Sequence, residues 1–287
     1  MRNHGDSSHH QKHDYTALAE DVEGFLQKQN LKDSTLIGHS MGAKTAMAVA
    51  LRKKTPIGSL ISVDNAPVDA ALHSGFAKYV KGMKRIEEAG FKKQSEADAV
   101  LKEYEESMPV RQFLLTNLMR GEDGIMKWRI PIKYLSDALN NMADFPFTNP
   151  DEARWEGPAL FVRGTKSHYV ADEMLPIVGR FFPRFELRDV ECGHWVISEK
   201  PEDFRKGELQ YQKACDHAAA NVALSYSCCR VPPGQGVAHV HLLVGLPRPG
   251  FASCIAFACT YTYSVIYSLE TRWLLRRLLG TLYPASA

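Results

Sequence analysis

Residues 38–42 of the chain read Gly-His-Ser-Met-Gly, a G-x-S-x-G pattern with Ser40 at its centre. A serine at a sharp strand-to-helix turn can attack an acyl carbon, because the turn exposes its hydroxyl beyond the end of a buried strand. The flanks fit this geometry, since a short apolar stretch precedes the pattern and an Ala-rich helical stretch follows it, ending before Pro56. The pattern therefore predicts Ser40 as a nucleophile. The alternative is an ordinary turn whose serine has no chemical role.

A serine hydroxyl is a weak nucleophile and needs a base within hydrogen-bond reach, which a carboxylate in turn orients. The chain order in sites of this kind is serine, acid, histidine, which excludes the histidines that precede Ser40. His194 fits the base, because it lies in Cys-Gly-His-Trp directly after the last strand predicted before residue 206. His73 and His168 also follow Ser40, but the pattern places the first in a helical insertion and the second in a loop. We therefore predict His194 as the base.

Asp64 is the predicted acid, because it follows the strand that comes after the Ser40 helix. The helix predicted over 41–54 is about 21 Å long, and the strand over 58–63 returns about 20 Å. The chain thus comes back to the carboxyl edge of the sheet, where open α/β sheets bind ligands, and Asp64 emerges beside Ser40. Asp172, which follows a later strand, is the reserve acid. A turn or cap role for Asp64 is the alternative.

The chain has two compositions, and the boundary lies near residue 206. Up to that point helical and strand patterns alternate, which is typical of a mostly parallel sheet with crossover helices. A long, mostly helical insertion at about 68–150 is predicted to form a cap over the carboxyl edge of the sheet. Over 207–287 acidic residues are scarce, and Cys, Tyr, Ser and Pro accumulate. We predict this part as an irregular tail outside the domain's design, from read-through or a misjoined reading frame.

Composition limits the possible partners. The formal net charge is +2 and 24% of residues are charged, which favours a small-molecule substrate over nucleic acid. The six cysteines lack zinc spacing, and the histidines of residues 9–13 lie on no regular element, so neither a metal nor a cofactor is expected. The uncharged run over 249–269 is long enough to span a membrane. Its Ser, Thr and Tyr content and its Pro-Gly start argue against a membrane helix.

A series of motifs follows in order between residues 2 and 206: RNHGDS, HDY, LIGHSMGAKTAM, VDNAPVDAAL, VRQFLLTNL, RIPI, GPALFVRG, YV and GHW. Together they resemble one branch of the α/β-hydrolase superfamily. The branch includes fungal mitochondrial ethanol acetyltransferases (ethyl acetate synthases), the mitochondrial abhydrolase domain-containing protein eleven, and small bacterial acyl esterases. The resemblance implies an α/β-hydrolase fold, an acyl-enzyme mechanism, and an acid that maps onto Asp64. It also implies short acyl esters or thioesters as substrates, alcohol acylation in some members, and a mitochondrial location.

The chain departs from the family's pattern at both ends. Family members carry further strands before Arg-Asn-His-Gly and a His-Gly loop that donates to the oxyanion. The fold is therefore expected to lack its first strands, a mitochondrial presequence and one oxyanion donor, which leaves the backbone N–H of Met41. Missing strands would expose the flank of the Ser40 strand, and the tail would replace the family's closing helix. The alternatives to an active serine hydrolase are a catalytically impaired fragment and a membrane-anchored protein without enzymatic activity.

Overall fold

The computed structural model describes residues 1–69, 75–218, 226–227, 242–243 and 255–258. Its helices and strands are, in chain order, α1 (Tyr15–Lys28), β1 (Ser34–His39), α2 (Met41–Arg52), β2 (Ile57–Val63), α3 (Gly75–Ala89), α4 (Gln94–Leu101), α5 (Met108–Leu115), β3 (Leu118–Arg120), β4 (Met126–Trp128), α6 (Ile132–Asp137), α7 (Leu139–Ala143), β5 (Ala159–Gly164), α8 (Leu175–Phe181), β6 (Phe185–Val190), α9 (Val196–Glu199), α10 (Pro201–Ala218), β7 (Tyr226–Ser227), β8 (Leu242–Leu243) and β9 (Ile255–Ala258).

The main sheet has the strand order β6-β5-β2-β1-β9, and each neighbouring pair is parallel. Strand β1 is buried at every position, and its centre, Leu36 and Ile37, is at most 1% exposed. A strand covered on both faces reads as a continuous apolar run, which explains why the stretch before Ser40 shows no alternation. The parallel sheet with crossover helices that the sequence predicted is confirmed.

Helix α2 connects β1 to β2 and is buried over nearly its whole length. Its small side chains, including Ala43, Ala46 and Ala50, let the helix lie close to the sheet, while Ala also has the highest intrinsic helix propensity. Helix α1 packs against α2, with Leu18 and Leu26 in the same core cluster. The helix that follows the serine is therefore held by contacts with both the sheet and α1.

The insertion between β2 and β5 forms the cap. It has a hydrophobic core of its own, in which Ile86 and Leu101 are fully buried and Trp128 is 8% exposed. The indole N–H of Trp128 donates to the Met83 carbonyl oxygen at 2.9 Å. The sequence predicted a mostly helical cap but not the antiparallel pair β3–β4, whose strands are too short to show a period. His73 lies outside the described residues.

The composition change at residue 207 does not coincide with the end of an element. Helix α10 continues to Ala218, and Phe204 and Tyr211, two turns apart, pack against the sheet's second core cluster. The expectation that the tail replaces a closing helix is therefore wrong within the described residues, because this apolar face extends past the boundary. The division of the chain into a domain over 1–206 and a tail over 207–287 stays a prediction.

The flank of β1 was also expected to be exposed. In the structure, β9 pairs with it in parallel, with Ile37 opposite Phe257 and Leu36 opposite Ala256. Backbone groups on that side of β1 therefore have a strand partner, and the expectation is wrong for this stretch. Apart from β9, the run over 249–269 lies outside the described residues. Among the described helices, none combines the length and apolar character required to cross a bilayer.

Candidate active site

Ser40 lies in a strained turn between β1 and α2, with φ 56° and ψ −117°. Its N–H donates to the Val63 carbonyl oxygen at 3.0 Å, and the Asn65 side-chain amide donates to the Ser40 carbonyl oxygen at 3.1 Å. The turn is also tight, because a Cβ at Gly38 would lie 2.1 Å from the Gly42 carbonyl oxygen. A strained serine conformation of this kind persists only where the surroundings fix it, and such conformations cluster at functional sites.

The structure brings the three residues predicted for catalysis into one hydrogen-bonded chain. His194 Nε2 lies 2.9 Å from Ser40 Oγ, and His194 Nδ1 lies 2.7 Å from Asp64 Oδ2. An ionised carboxylate can only accept, so Nδ1 carries a proton and neutral Nε2 accepts from the serine hydroxyl. This arrangement can remove a proton from Ser40 while it attacks an acyl carbon.

Asp64 directly follows β2 at the carboxyl edge of the sheet. Its side chain is fully buried, and its second oxygen, Oδ1, accepts from the Gly164 N–H at the end of β5, at 2.9 Å. Its own N–H donates to the Val162 carbonyl oxygen at 2.8 Å. The carboxylate is therefore held by the neighbouring strand on one side and by His194 on the other, which leaves it little freedom to rotate.

The structure does not bring the reserve acid to the site. Asp172 begins a short 3-10 helix, Asp172–Met174, and its carboxylate is 83% exposed. It forms an ion pair with Arg163, whose guanidinium also binds Asp189 at 2.7 Å. The prediction of Asp172 as an alternative acid is wrong, because the chain carries this residue past the strand end to the surface.

Met41 is the first residue of α2. The first N–H groups of a helix have no acceptor within the helix, so the Met41 N–H directly beside Ser40 is suited to hold an oxyanion. This role and the predicted lack of a second donor stay predictions.

Two rings lie against the His194 imidazole, and the sequence analysis gave neither a role. Tyr169 stacks on it with a centroid separation of 4.1 Å, and burial raises the pKa of the Tyr169 hydroxyl. The His39 ring lies 4.9 Å away, and its Nε2 is 2.7 Å from the His194 carbonyl oxygen. Chain order excludes His39 as the base, because it precedes the serine. The sequence feature that could have indicated a role for His39 is its position as a polar residue at the end of an otherwise apolar, buried strand.

The sequence analysis also gave no role to Lys44, one turn after Ser40 in α2. Lys44 is only 2% exposed, and its ammonium group donates to the carbonyl oxygens of Ala143 and Asp144 at 2.8 and 3.1 Å. It also lies 5.4 Å from the centre of the Tyr15 ring. Lys44 therefore ties the serine's helix to the segment in which the cap returns to the sheet. A lysine within an Ala-rich buried helix was the sequence signal for it.

Burial lowers the pKa of Lys44 to about 8, against smaller opposing contributions from Asp69 and Asp144. We expect the free energy of unfolding, relative to a Lys44→Met variant, to rise by on the order of 2 kcal/mol between pH 8 and pH 10. In that interval the unfolded chain still binds the Lys44 proton, whereas the folded chain has released it. Urea unfolding of both proteins at the two pH values measures the difference. A difference that does not change with pH would contradict the prediction.

Histidines near the N-terminus of the chain have partners that are not metal ions. The Asn3 side-chain amide lies 3.2 Å from His13 Nδ1, and His9 Nε2 lies 3.1 Å from the Arg129 carbonyl oxygen. Burial lowers the pKa of His13 to about 4, so its ring is neutral near pH 7. Over the part of the chain that the structure describes, no group of three or more His, Cys, Asp or Glu side chains is placed to hold a metal ion.

A family model described as alpha/beta hydrolase fold matches residues 1–201. The chain therefore belongs to the α/β-hydrolase fold family, and the fold class inferred from the sequence is confirmed. Its relatives include enzymes of the branch named above, which confirms that resemblance as well. Together with the fold, the esterase and lipase relatives support an enzyme.

Three similarities are the most informative. The chain is 39% identical over 222 residues to a probable alcohol acetyltransferase of Saccharomyces cerevisiae, a match that covers 70% of this chain and 64% of that protein. It is 38% identical over 209 residues to the sn-1-specific diacylglycerol lipase ABHD11 of Xenopus tropicalis, covering 71% of this chain and 64% of that protein. The solved structure of a marine microorganism esterase has a TM-score of 0.69 at 32% identity, over 73% of this chain and 82% of that one. The chain thus spans just under two thirds of the length of the yeast and frog relatives.

Proposed function

We propose that this protein is a serine-dependent acyl ester or thioester hydrolase that works through an acyl-enzyme on short acyl chains. The observation that carries the proposal is the hydrogen-bonded chain from Ser40 Oγ through both nitrogens of His194 to buried Asp64. Membership of the α/β-hydrolase family, whose members include esterases and lipases, supports the same chemistry. The substrate is proposed to be a small molecule, with no nucleic acid, metal or cofactor involved.

In the proposed reaction, Ser40 Oγ gives its proton to His194 Nε2 while it forms a bond to the acyl carbon. The oxyanion accepts a hydrogen bond from the Met41 N–H. The bond from the acyl carbon to the leaving oxygen or sulfur then breaks, and His194 returns the proton to that leaving atom. In the second half, water gives a proton to His194 Nε2 as its oxygen bonds to the acyl carbon. The bond from the acyl carbon to Ser40 Oγ then breaks, His194 returns the proton to Ser40 Oγ, and the carboxylic acid leaves. Asp64 keeps the imidazole in the required tautomer throughout.

Acyl transfer to an alcohol is the second candidate, and it is supported by the 39% identity to the yeast protein named as a probable alcohol acetyltransferase. It differs from hydrolysis only in the nucleophile of the second half. A mitochondrial location is part of the proposal and is supported by the resemblance to the mitochondrial branch. Fractionation of cells that express the gene would test the location.

The test of the proposed function is covalent labelling of the purified chain with a fluorophosphonate, read by intact mass. We expect one adduct on the wild type and none on Ser40→Ala. Ser95→Ala removes an exposed serine of helix α4 and should leave the labelling unchanged. A folded wild-type chain that acquires no adduct, or an adduct that survives in Ser40→Ala, would overturn the proposal.

One assay, with p-nitrophenyl acetate in the presence of ethanol, distinguishes hydrolysis from acyl transfer to an alcohol. Release of p-nitrophenol reports formation of the acyl-enzyme, and the ratio of acetate to ethyl acetate reports which nucleophile resolves it. Acetate alone supports hydrolysis, and a substantial fraction of ethyl acetate supports acyl transfer.

A further inference from the structure

His39 is a buried polar residue that the proposed mechanism does not use. It is the last residue of β1 and is 3% exposed. Its Nε2 lies 2.7 Å from the backbone oxygen of His194, across 155 positions of sequence. The residue directly before the nucleophile is therefore bonded to the backbone of the base itself.

The direction of this hydrogen bond follows from the groups involved. A carbonyl oxygen only accepts, so His39 Nε2 must carry a proton and donate. Burial, together with the neighbouring His194, lowers the pKa of His39 to about 4, against smaller raising contributions from the hydrogen bond to the His194 carbonyl oxygen and from Asp64. Near pH 7 the ring is therefore neutral and in the Nε2–H form. A neutral donor holds the loop without placing a second positive charge beside the imidazolium that His194 must become.

The segment that carries His194 is a loop between the end of β6 at Val190 and the start of α9 at Val196. Other contacts hold its flanks: the Gly193 N–H donates to Glu199 Oε2 at 2.9 Å, and the Lys166 N–H donates to the Cys192 carbonyl oxygen at 2.9 Å. Among the described residues, the bond from His39 reaches the His194 backbone oxygen from the last residue of the strand that precedes Ser40. It therefore connects the His194 backbone to the residue that directly precedes the nucleophile.

We infer that His39 is a positioning residue of the acyl-transfer site, which fixes the distance between His194 and Ser40 by anchoring the His194 backbone to the nucleophile's strand. The inference rests on the proposed function, because it assigns His39 a part in that reaction. Its physical basis is the steep dependence of catalysis on position, since a displacement of about 1 Å can cost on the order of 100-fold in rate. A buried histidine that only satisfies its own hydrogen bonds would contribute to stability but not specifically to the action of His194.

The test measures kcat/KM for p-nitrophenyl acetate and the rate of fluorophosphonate labelling in His39→Phe and His39→Gln. Phe keeps a planar ring without a donor, whereas Gln retains an N–H that can reach the same carbonyl. We expect His39→Phe to lower both rates by about 10- to 100-fold, and His39→Gln to recover a large part of the loss. Thermal unfolding of each variant confirms that the comparison is between folded proteins. If His39→Phe does not fold, His39→Leu, which also lacks a donor, takes its place in the comparison with His39→Gln, and the same loss of about 10- to 100-fold is expected.

A double-mutant comparison separates positioning from a general structural role. In a His194→Ala background, His39→Phe should change the residual labelling rate by less than about 2-fold, because His39 is inferred to act through the base. An equal fold-loss with and without His194 would overturn the inference, as would a His39→Phe enzyme with wild-type rates or a folded His39→Gln enzyme as impaired as His39→Phe. Absence of Ser40 labelling in the wild type would instead overturn the proposed function, and the inference would fall with it.

Discussion

Replacement of Asp64 by Asn is expected to lower kcat/KM for acyl-ester hydrolysis by about 10³- to 10⁴-fold while the protein remains folded. The Asn oxygen can still accept from the Gly164 N–H, which preserves the packing at the end of β5. Its amide nitrogen would face His194 Nδ1 and donate to it. The proton of the neutral imidazole would then reside on Nε2, the atom that must accept from the Ser40 hydroxyl.

The measurement is the initial rate with p-nitrophenyl acetate, together with the circular dichroism of both proteins. Asp172→Asn is the matched control, because it makes the same chemical change in a carboxylate that is 83% exposed and paired with Arg163. This control should retain kcat/KM within about 2-fold, as surface changes away from a site usually do. An Asp64→Asn enzyme with undiminished activity, or a larger loss in Asp172→Asn, would contradict the assignment of the acid.

Gly38→Ala is expected to destabilise the fold by about 3 kcal/mol or more, because the added methyl group cannot fit. A Cβ at this position would lie 2.1 Å from the Gly42 carbonyl oxygen and 2.6 Å from the Ala43 nitrogen. Both atoms belong to the backbone of α2, which is buried and packs against both the sheet and α1, so neither can move away freely. Urea unfolding followed by tryptophan fluorescence gives the free energy of unfolding of the wild type and the variant.

Gly24→Ala is the matched control, because it makes the same substitution at a position where the added methyl group has room. Gly24 lies on the exposed side of α1, and nothing lies within 4 Å of a Cβ built there. This change should stabilise the protein by about 0.5–1 kcal/mol, since Ala reduces the entropy of the unfolded chain and favours the helix. If Gly38→Ala unfolds at the same urea concentration as the wild type, the tight turn at Ser40 is not required for the fold.

Local pattern and chain order were sufficient to predict which residues meet at the candidate site. Ser40 could be predicted because a tight turn needs small residues at fixed offsets, and Gly38 provides one of them. The position of Asp64 followed from the lengths of α2 and β2, since a helix and a strand of similar length return the chain to the same edge of a parallel sheet. The sheet itself is a consequence of alternating apolar segments, which the sequence displays directly.

Contacts between distant segments could not be predicted in the same way. The bond from His39 to the His194 backbone joins two segments that are far apart in the sequence. No sequence motif relates them, so only the folded chain shows the contact. Asp172 was misassigned as a reserve acid because the sequence gives the end of a strand but not the path of the loop beyond it. The extension of α10 past residue 206 was missed because composition was weighted above the spacing of Phe204 and Tyr211 on one helix face.

The cap buries its own side chains, with Ile86 and Leu101 among them, in a cluster separate from those that hold the sheet. Substitutions inside that cluster are therefore expected to affect the cap more than the strands that carry Ser40, Asp64 and the His194 loop. In evolutionary terms the two parts are modules that can vary at different rates. We expect the sequences of homologous chains to vary more in the cap than in the sheet. The same catalytic residues could then act on acyl groups of different size and shape.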